Sequence, residues 1–167
     1  MSLHLIVLEM KKLLHQANGW LDKAEAHAAA KKFDANTLLT ARLAPDMFPL
    51  VNQFQSACDQ AKFAAARGAG KQAPSHPDTE KTIEEVRARI ASVIGFLDTF
   101  TAADFDGADK RTISLPRWEG KSMTIPDYVI EHAQANFYFH LTMAYAVLRH
   151  NGVDVGKRDF LGALSLK

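Results

Sequence analysis

Residues 127–151, DYVIEHAQANFYFHLTMAYAVLRHN, constrain the fold more than any other stretch, because they form one long pattern at helical spacing. His132, Asn136 and His140 follow one another at intervals of four, which places them on one face of a helix. His140 also belongs to an apolar series of this helix, which runs Ala133, Phe137, His140, Ala144 and Leu148. An unpaired polar ring in a core costs about 1–3 kcal/mol, so the sequence predicts a partner, a metal or a ligand at His140.

Three further apolar stripes at helical spacing precede this stretch, at residues 3–28, 50–65 and 83–100. Asp78 or Thr79 is expected to cap the third of these helices. Residues 111–126, RTISLPRWEGKSMTIP, predict two short strands around Glu119-Gly120. The order predicts an all-α fold, a four-helix bundle with a small β-hairpin before the last helix, in a single domain that spans residues 1–167.

The charge balance argues against two classes of partner. The formal net charge is +1 and the basic residues are scattered among acidic ones, so we expect no nucleic acid and no anionic membrane. No apolar run approaches the ~18 residues of a membrane span. The single cysteine, Cys58, excludes an intramolecular disulfide, and a free thiol fits a reducing compartment. These features predict a cytoplasmic protein.

Two readings of His140 follow from its spacing. A His-xxx-His pair on a helix is good zinc geometry, but Asn136 occupies the position four residues before His140. His132 lies two turns away, roughly 12 Å, which is too far to share one ion with His140. The other reading is a hydrogen bond within the core, for which the candidate partners are Asn136, Gln53, Tyr138 and Tyr145.

The remaining histidines carry weaker signals. We expect all five to be surface or helix-capping residues: His4, His15, His27, His76 and His150. The aromatic run Phe137-Tyr138-Phe139 circles the last helix, which indicates that the helix is buried on more than one side. Four helices alone offer too few neighbours for that, so the run predicts a homodimer.

Two phrases of the chain resemble a known family. ARLAPDMFPLVNQFQSACDQAK and NFYFHLTMAYAVLRHNGVDVGKRDFLG are similar to an uncharacterised branch of the DinB/YfiT-like superfamily, a domain of unknown function. The resemblance covers nearly the whole chain. It implies a four-helix bundle with a hairpin before the last helix, commonly as a dimer. Many members hold a divalent metal with three histidines, and some are transferases or isomerases that use low-molecular-weight thiols.

The resemblance also implies a set of site residues. His140 matches the second histidine of the family's pair on the last helix, Asn136 stands at the first, and Gln53 takes the place of the ligand from the second helix. Two amides and one imidazole would hold a divalent metal such as Zn or Ni weakly or not at all. His132 would lie near the mouth of this degenerate pocket.

Two functional hypotheses therefore stand side by side. In the first, the pocket binds a metal or a small molecule and supports a metal-assisted, thiol-dependent transfer or isomerisation, with His140 as metal ligand or base. In the second, the protein is a non-catalytic dimeric bundle that binds a small molecule or a partner protein. The first hypothesis predicts a stoichiometric metal that is lost when His140 is replaced.

Overall fold

The computed structural model describes residues 2–167 and shows four long helices with a short hairpin before the last one. The helices are α1 (Leu3–Lys31), α2 (Leu50–Gly68), α3 (Ile83–Leu97), α4 (Ile125–Asp127, then Tyr128–Gln134 as a π-helix, then Ala135–His150) and the short α5 (Lys157–Leu161). Strands β1 (Thr112–Ile113) and β2 (Met123–Thr124) pair antiparallel, with Thr112 opposite Thr124. The predicted all-α bundle with a hairpin before the last helix is confirmed.

The core lies between α2 and α4, and α1 and α3 close it from the other side. The apolar series of α4 is buried as its spacing predicts, and Ala133, Phe137 and Ala144 are all fully buried. Burial of a large apolar side chain contributes about 1.5–3 kcal/mol, so such series hold the bundle together. His140 lies at the edge of this buried face and is partly exposed.

The aromatic run on α4 faces more than one side of the helix. Phe137 is fully buried, Tyr138 is partly buried, and Phe139 is 53% exposed. The homodimer expected from this run stays a prediction. No helix within residues 2–167 is both long and apolar enough to cross a membrane.

The cap of α3 differs from the one predicted. Thr82, rather than Asp78 or Thr79, precedes the helix, and its hydroxyl accepts a hydrogen bond from the Glu85 N–H at 3.2 Å. The Glu85 carboxylate accepts in turn from the Thr82 N–H at 3.0 Å, which completes a capping box. Asp78 instead forms an ion pair with Arg89 at 2.9 Å.

A buried ionic network joins α2, α3 and the loop between them. Arg89 is 3% exposed and contacts three carboxylates, those of Asp59 at 2.7 Å, Asp78 at 2.9 Å and Glu80 at 3.0 Å. Lys62 is 2% exposed and contacts Asp59 at 2.8 Å. Buried cations need such partners, because an unpaired charge in a core is strongly destabilising.

His76 is part of this network, so its prediction as a plain surface histidine is incomplete. The Lys62 ammonium lies 3.1 Å from Nδ1 of His76, and the Ser92 hydroxyl lies 3.0 Å from Nε2. An ammonium can only donate, so Nδ1 is the acceptor and the proton of the neutral ring is on Nε2. His76 therefore donates to Ser92 and does not activate it as a nucleophile.

The network predicts that acid destabilises the fold. Burial and the nearby Lys62 and Arg89 lower the pKa of His76 from 6.5, although Asp59 and Glu80 act in the opposite direction. Burial alone would raise the pKa of Glu80, but hydrogen bonds from Arg89 and Gln55 outweigh it and lower that pKa from 4.5. In both cases the unfolded chain binds protons first as the pH falls, so stability is lost below about pH 6.5 and again below about pH 4.5.

We expect the urea midpoint of the wild type to fall between pH 7 and pH 5.5, because His76 resists protonation only in the folded state. His76→Gln keeps an amide that can bridge Lys62 and Ser92 but does not titrate. Its midpoint is expected to change less over the same range. An equal decline in both proteins would show that His76 is not the group responsible.

Candidate functional site

The structure brings His140 of α4 against Gln53 of α2. Nδ1 of His140 lies 2.9 Å from Oε1 of Gln53, whose side chain is 1% exposed. Nε2 of Gln53 donates in turn to the backbone carbonyl of Phe48 at 2.9 Å. The Phe48 ring stacks on the imidazole, with centroids 6.5 Å apart and an interplanar angle of 15°. Of the partners considered for His140, Gln53 is the one that binds it.

This chain of hydrogen bonds fixes the tautomer of His140. The Phe48 carbonyl can only accept, so the amide nitrogen of Gln53 must face it and the amide oxygen must face His140. An amide oxygen also only accepts, so Nδ1 of His140 carries the proton. The lone pair of the neutral ring is therefore on Nε2.

Nε2 is free to meet a ligand. It makes no hydrogen bond to any of residues 2–167, and burial lowers the pKa of His140 from its ordinary 6.5, which keeps the ring neutral at pH 7. Phe48 and Phe139 flank the ring, and they are 57% and 53% exposed. The site is thus a hydrogen-bond acceptor between two exposed aromatic rings.

The side chain of Asn136 bonds to its own helix rather than to Gln53 or His140. Its Nδ2 donates to the backbone carbonyl of His132, one turn earlier on the same helix, at 2.6 Å. It makes no hydrogen bond to Gln53 or to His140. Of the three residues predicted to surround one pocket, the structure therefore joins Gln53 and His140 directly, and the amide of Asn136 turns back to its own helix.

His132 packs against the hairpin rather than beside Gln53. Its ring stacks on Tyr128 with centroids 5.3 Å apart and meets the edge of Trp118 at 5.8 Å. Burial, and then the charges of Arg117 and Arg67, lower its pKa from 6.5. His132 lies in the π-helical segment, where the usual spacing of side chains no longer holds.

Sequence reasoning missed the part that Phe48 plays. A backbone carbonyl has no signature of its own in a sequence, and the only signal was Pro49, which restricts Phe48 to extended conformations just before α2.

Residues 3–161 match the family model described as "Domain of unknown function (DUF1993)".

The chain belongs to DUF1993.

A solved structure places this DUF1993 protein within a wider superfamily. The crystal structure of a DinB family member protein from Shewanella denitrificans is similar to it, with 51% sequence identity and a TM-score of 0.93. The match covers 96% of this chain and 92% of that chain. The protein is thus a member of an uncharacterised branch of the DinB-like superfamily. A comparison with curated proteins finds no match.

The divalent metal that the superfamily implies would find only a weak set of ligands in this DUF1993 protein. Oxygen Oε1 of Gln53, the only atom of that side chain able to bind a metal, accepts from His140. Within residues 2–167, no group of three or more His, Cys, Asp or Glu side chains is placed to hold an ion. Two neutral amides and one imidazole form a weak ligand set for Zn or Ni. The placement of Gln53, Asn136 and His140 as metal ligands stays a prediction.

The single thiol of the chain is not placed to act as a nucleophile. Cys58 is fully buried, and burial raises its pKa from 9.0 to about 12, so it stays protonated at neutral pH. Cys58 is thus a small core residue. His140, with its free acceptor Nε2, is therefore the residue best placed to bind a ligand.

Proposed function

We propose that this DUF1993 protein binds a small molecule at Nε2 of His140 and does so without a tightly held metal. One observation carries the proposal, the chain of hydrogen bonds from the Phe48 carbonyl through Gln53 to Nδ1 of His140. A histidine in a core needs one partner, and here Gln53 supplies it. The Phe48 carbonyl, the second partner of Gln53, fixes the orientation of the amide. The amide oxygen then faces Nδ1 of His140, and the lone pair of the imidazole is on Nε2.

The geometry also favours one class of ligand. A neutral Nε2 accepts a hydrogen bond from an O–H, N–H or S–H group. Phe48 and Phe139 present exposed rings beside it, and such rings favour an apolar or aromatic body through burial and stacking. The ligand is therefore a small molecule with one donor group next to an apolar part.

A thiol-dependent reaction is the second candidate, in which the neutral His140 acts as the base, although the burial that lowers its pKa opposes the imidazolium formed in the step. A thiol that binds with its S–H toward Nε2 would transfer its proton to the imidazole, which leaves a thiolate and an imidazolium. The thiolate is the nucleophile in such transfers. Gln53 would orient the ring for this step through its bond to Nδ1.

Phenol provides the test, because it combines one O–H donor with one aromatic ring. We expect phenol to shift the imidazole resonances of His140 in a saturable way, with a Kd of about 1–10 mM, as suits so small a ligand. His140→Ala should weaken binding about tenfold, from the loss of one hydrogen bond and one ring contact. The measurement is a two-dimensional NMR titration, with the affinity of the variant read from backbone amides near Phe48.

His150→Ala is the matched control, since His150 is an exposed histidine at the end of the same helix. It should bind phenol as the wild type does. Benzene, which lacks the donor, should bind more weakly than phenol. Equal phenol affinities in the two histidine variants would overturn the proposal. Thiophenol tests the second candidate, which requires that binding convert His140 to the doubly protonated ring.

A further inference from the structure

The hairpin and the start of α4 enclose a second group of polar residues. We name Arg67, Arg117, Trp118, Tyr128 and His132 the hairpin cluster. Trp118 meets the edges of Tyr128 at 6.3 Å and of His132 at 5.8 Å between centroids, and Tyr128 stacks on His132. Tyr128 is fully buried, while Arg117 is exposed and the other three are partly exposed.

Two arginines reach this cluster without a carboxylate. Nη1 of Arg67 donates to the Tyr128 hydroxyl at 2.6 Å, and its guanidinium lies 4.3 Å from the centre of the Phe63 ring. Nη2 of Arg117 contacts Nε2 of His132. Among residues 2–167, neither Arg67 nor Arg117 has an acidic oxygen within 4.0 Å, whereas Arg89 has three acidic partners.

The charged groups that shift the pKa values of His132 and Tyr128 are both arginines. Besides burial, the groups that shift the pKa of His132 are Arg117 and Arg67. The same two arginines are the charged groups that act on the pKa of Tyr128. No carboxylate takes part in either shift, and the acidic residue in the lining of the adjoining cavity is Glu119.

Two hydrogen-bond donors in the cluster also lack an acceptor. Arg117 can only donate, so Nε2 of His132 is the acceptor and the ring proton is on Nδ1. This Nδ1 is buried and has no hydrogen-bond partner within residues 2–167. The Tyr128 hydroxyl accepts from Arg67, which leaves its own proton free to donate. A buried donor without an acceptor costs about 1–3 kcal/mol and calls for an explanation.

We propose that the hairpin cluster binds the oxyanion of a small molecule, a carboxylate or a phosphate group. An oxyanion supplies the two things the cluster lacks, negative charge for two guanidinium groups and acceptor oxygens for unpaired donors. The guanidinium of the exposed Arg117 contacts the His132 ring, so it is the group of the cluster that an anion from solvent would meet first. A cavity of about 520 Å³ opens beside it, lined by Arg117, Trp118, Glu119, Lys121, Ser122 and Met123.

This proposal does not rest on the small-molecule site at His140. The two sites share helix α4 but contact opposite ends of α2, one at Gln53 and the other at Arg67. Fourteen residues of helix separate those contacts, which is about 21 Å. Either site can therefore fail its test while the other passes.

Inorganic phosphate and benzoate are the probes, each titrated by NMR against the full chain with chloride holding the ionic strength constant. We expect saturable shifts at Trp118 and His132, with a Kd of about 1–10 mM for the preferred anion. Arg117→Ala should weaken binding at least tenfold, and Arg117→Lys should give an intermediate loss, because lysine keeps the charge without the forked geometry. Tighter binding of phosphate or of benzoate identifies which oxyanion the cluster prefers.

Lys110→Ala is the matched control, because it removes one positive charge from an exposed residue just before β1 that does not line the cavity. Its affinity should stay within twofold of the wild type. Equal losses in Arg117→Ala and Lys110→Ala would show that only general electrostatic attraction holds the anion, and would overturn the proposal. So would the absence of saturation by both anions up to 50 mM, about five times the weakest Kd expected. Melting temperatures of both variants confirm that the fold is kept, since both side chains are exposed.

Discussion

Replacing Arg89 with alanine is expected to lower the free energy of unfolding by about 3–5 kcal/mol, the range for breaking a buried ion pair from one side. The guanidinium is nearly inaccessible and holds Asp59, Asp78 and Glu80 together. Without it, the poorly exposed Glu80 keeps its charge but loses the cation that offsets its burial. Urea denaturation at pH 7 measures the change. The deficit should shrink as the pH falls below about 4.5, because the stabilisation that Glu80 contributes is lost when its carboxylate accepts a proton.

Arg87 offers a matched control two residues earlier on α3. It also pairs with two carboxylates, those of Asp22 and Glu25, each at 2.7 Å, but these acids are 72% and 51% exposed. Solvent screens such pairs, so Arg87→Ala should cost less than about 1 kcal/mol. Arg89→Met separates charge from packing, since methionine fills much of the same volume. If the alanine variants of Arg87 and Arg89 lose equal stability, the buried network is not what holds the loop to the bundle.

Helix positions were predictable because the forces that set them are local. The apolar series of α4 alone places Phe137 and Leu148 in the core, and both are buried. The cap of α3 was not predictable, since several residues before the helix have suitable side chains. The structure uses Thr82, which forms a reciprocal capping box with Glu85, while Asp78 pairs with Arg89, eleven positions away.

The candidate site was predictable only in part. Gln53 and His140 are 87 residues apart, so the sequence could name Gln53 only as one of four candidate partners for the ring. The row of His132, Asn136 and His140 assumed one regular helix. The π-helical turn over Tyr128–Gln134 breaks that assumption, because one more residue per hydrogen-bonded ring rotates the side chains that precede it. His132 accordingly faces the hairpin.

The buried cations had no local signature at all. Lys62 and Arg89 are residue types that are almost never fully buried unless paired, so a sequence gives little reason to place them inside. Their partner Asp59 is three residues from Lys62 but thirty from Arg89. This ionic network forms only when α2 packs against α3, so the spacing of residues along the sequence could not predict it.

Gln53→Met is expected to have two effects, one on stability and one on His140. Methionine fills the space but leaves Nδ1 of His140 and the Phe48 carbonyl without their partner, which should cost about 1–3 kcal/mol. The Nδ1–H tautomer also loses its acceptor. For a hydrogen bond worth about 1 kcal/mol, the ratio of the two tautomers should shift about fivefold toward the proton on Nε2. Nitrogen-15 shifts of the His140 ring measure that ratio directly.

Gln55→Met separates the two effects. Gln55 is a second buried glutamine on α2, 4% exposed, and it bonds Asn52 and Glu80 at 2.7 Å each without contact to His140. We expect a similar loss of stability and no change in the His140 tautomer. The phenol affinity should fall in Gln53→Met alone, because only there is the lone pair of Nε2 partly replaced by a proton. If both variants leave the His140 ring unchanged, Gln53 does not set the tautomer and the acceptor at Nε2 has lost its structural basis.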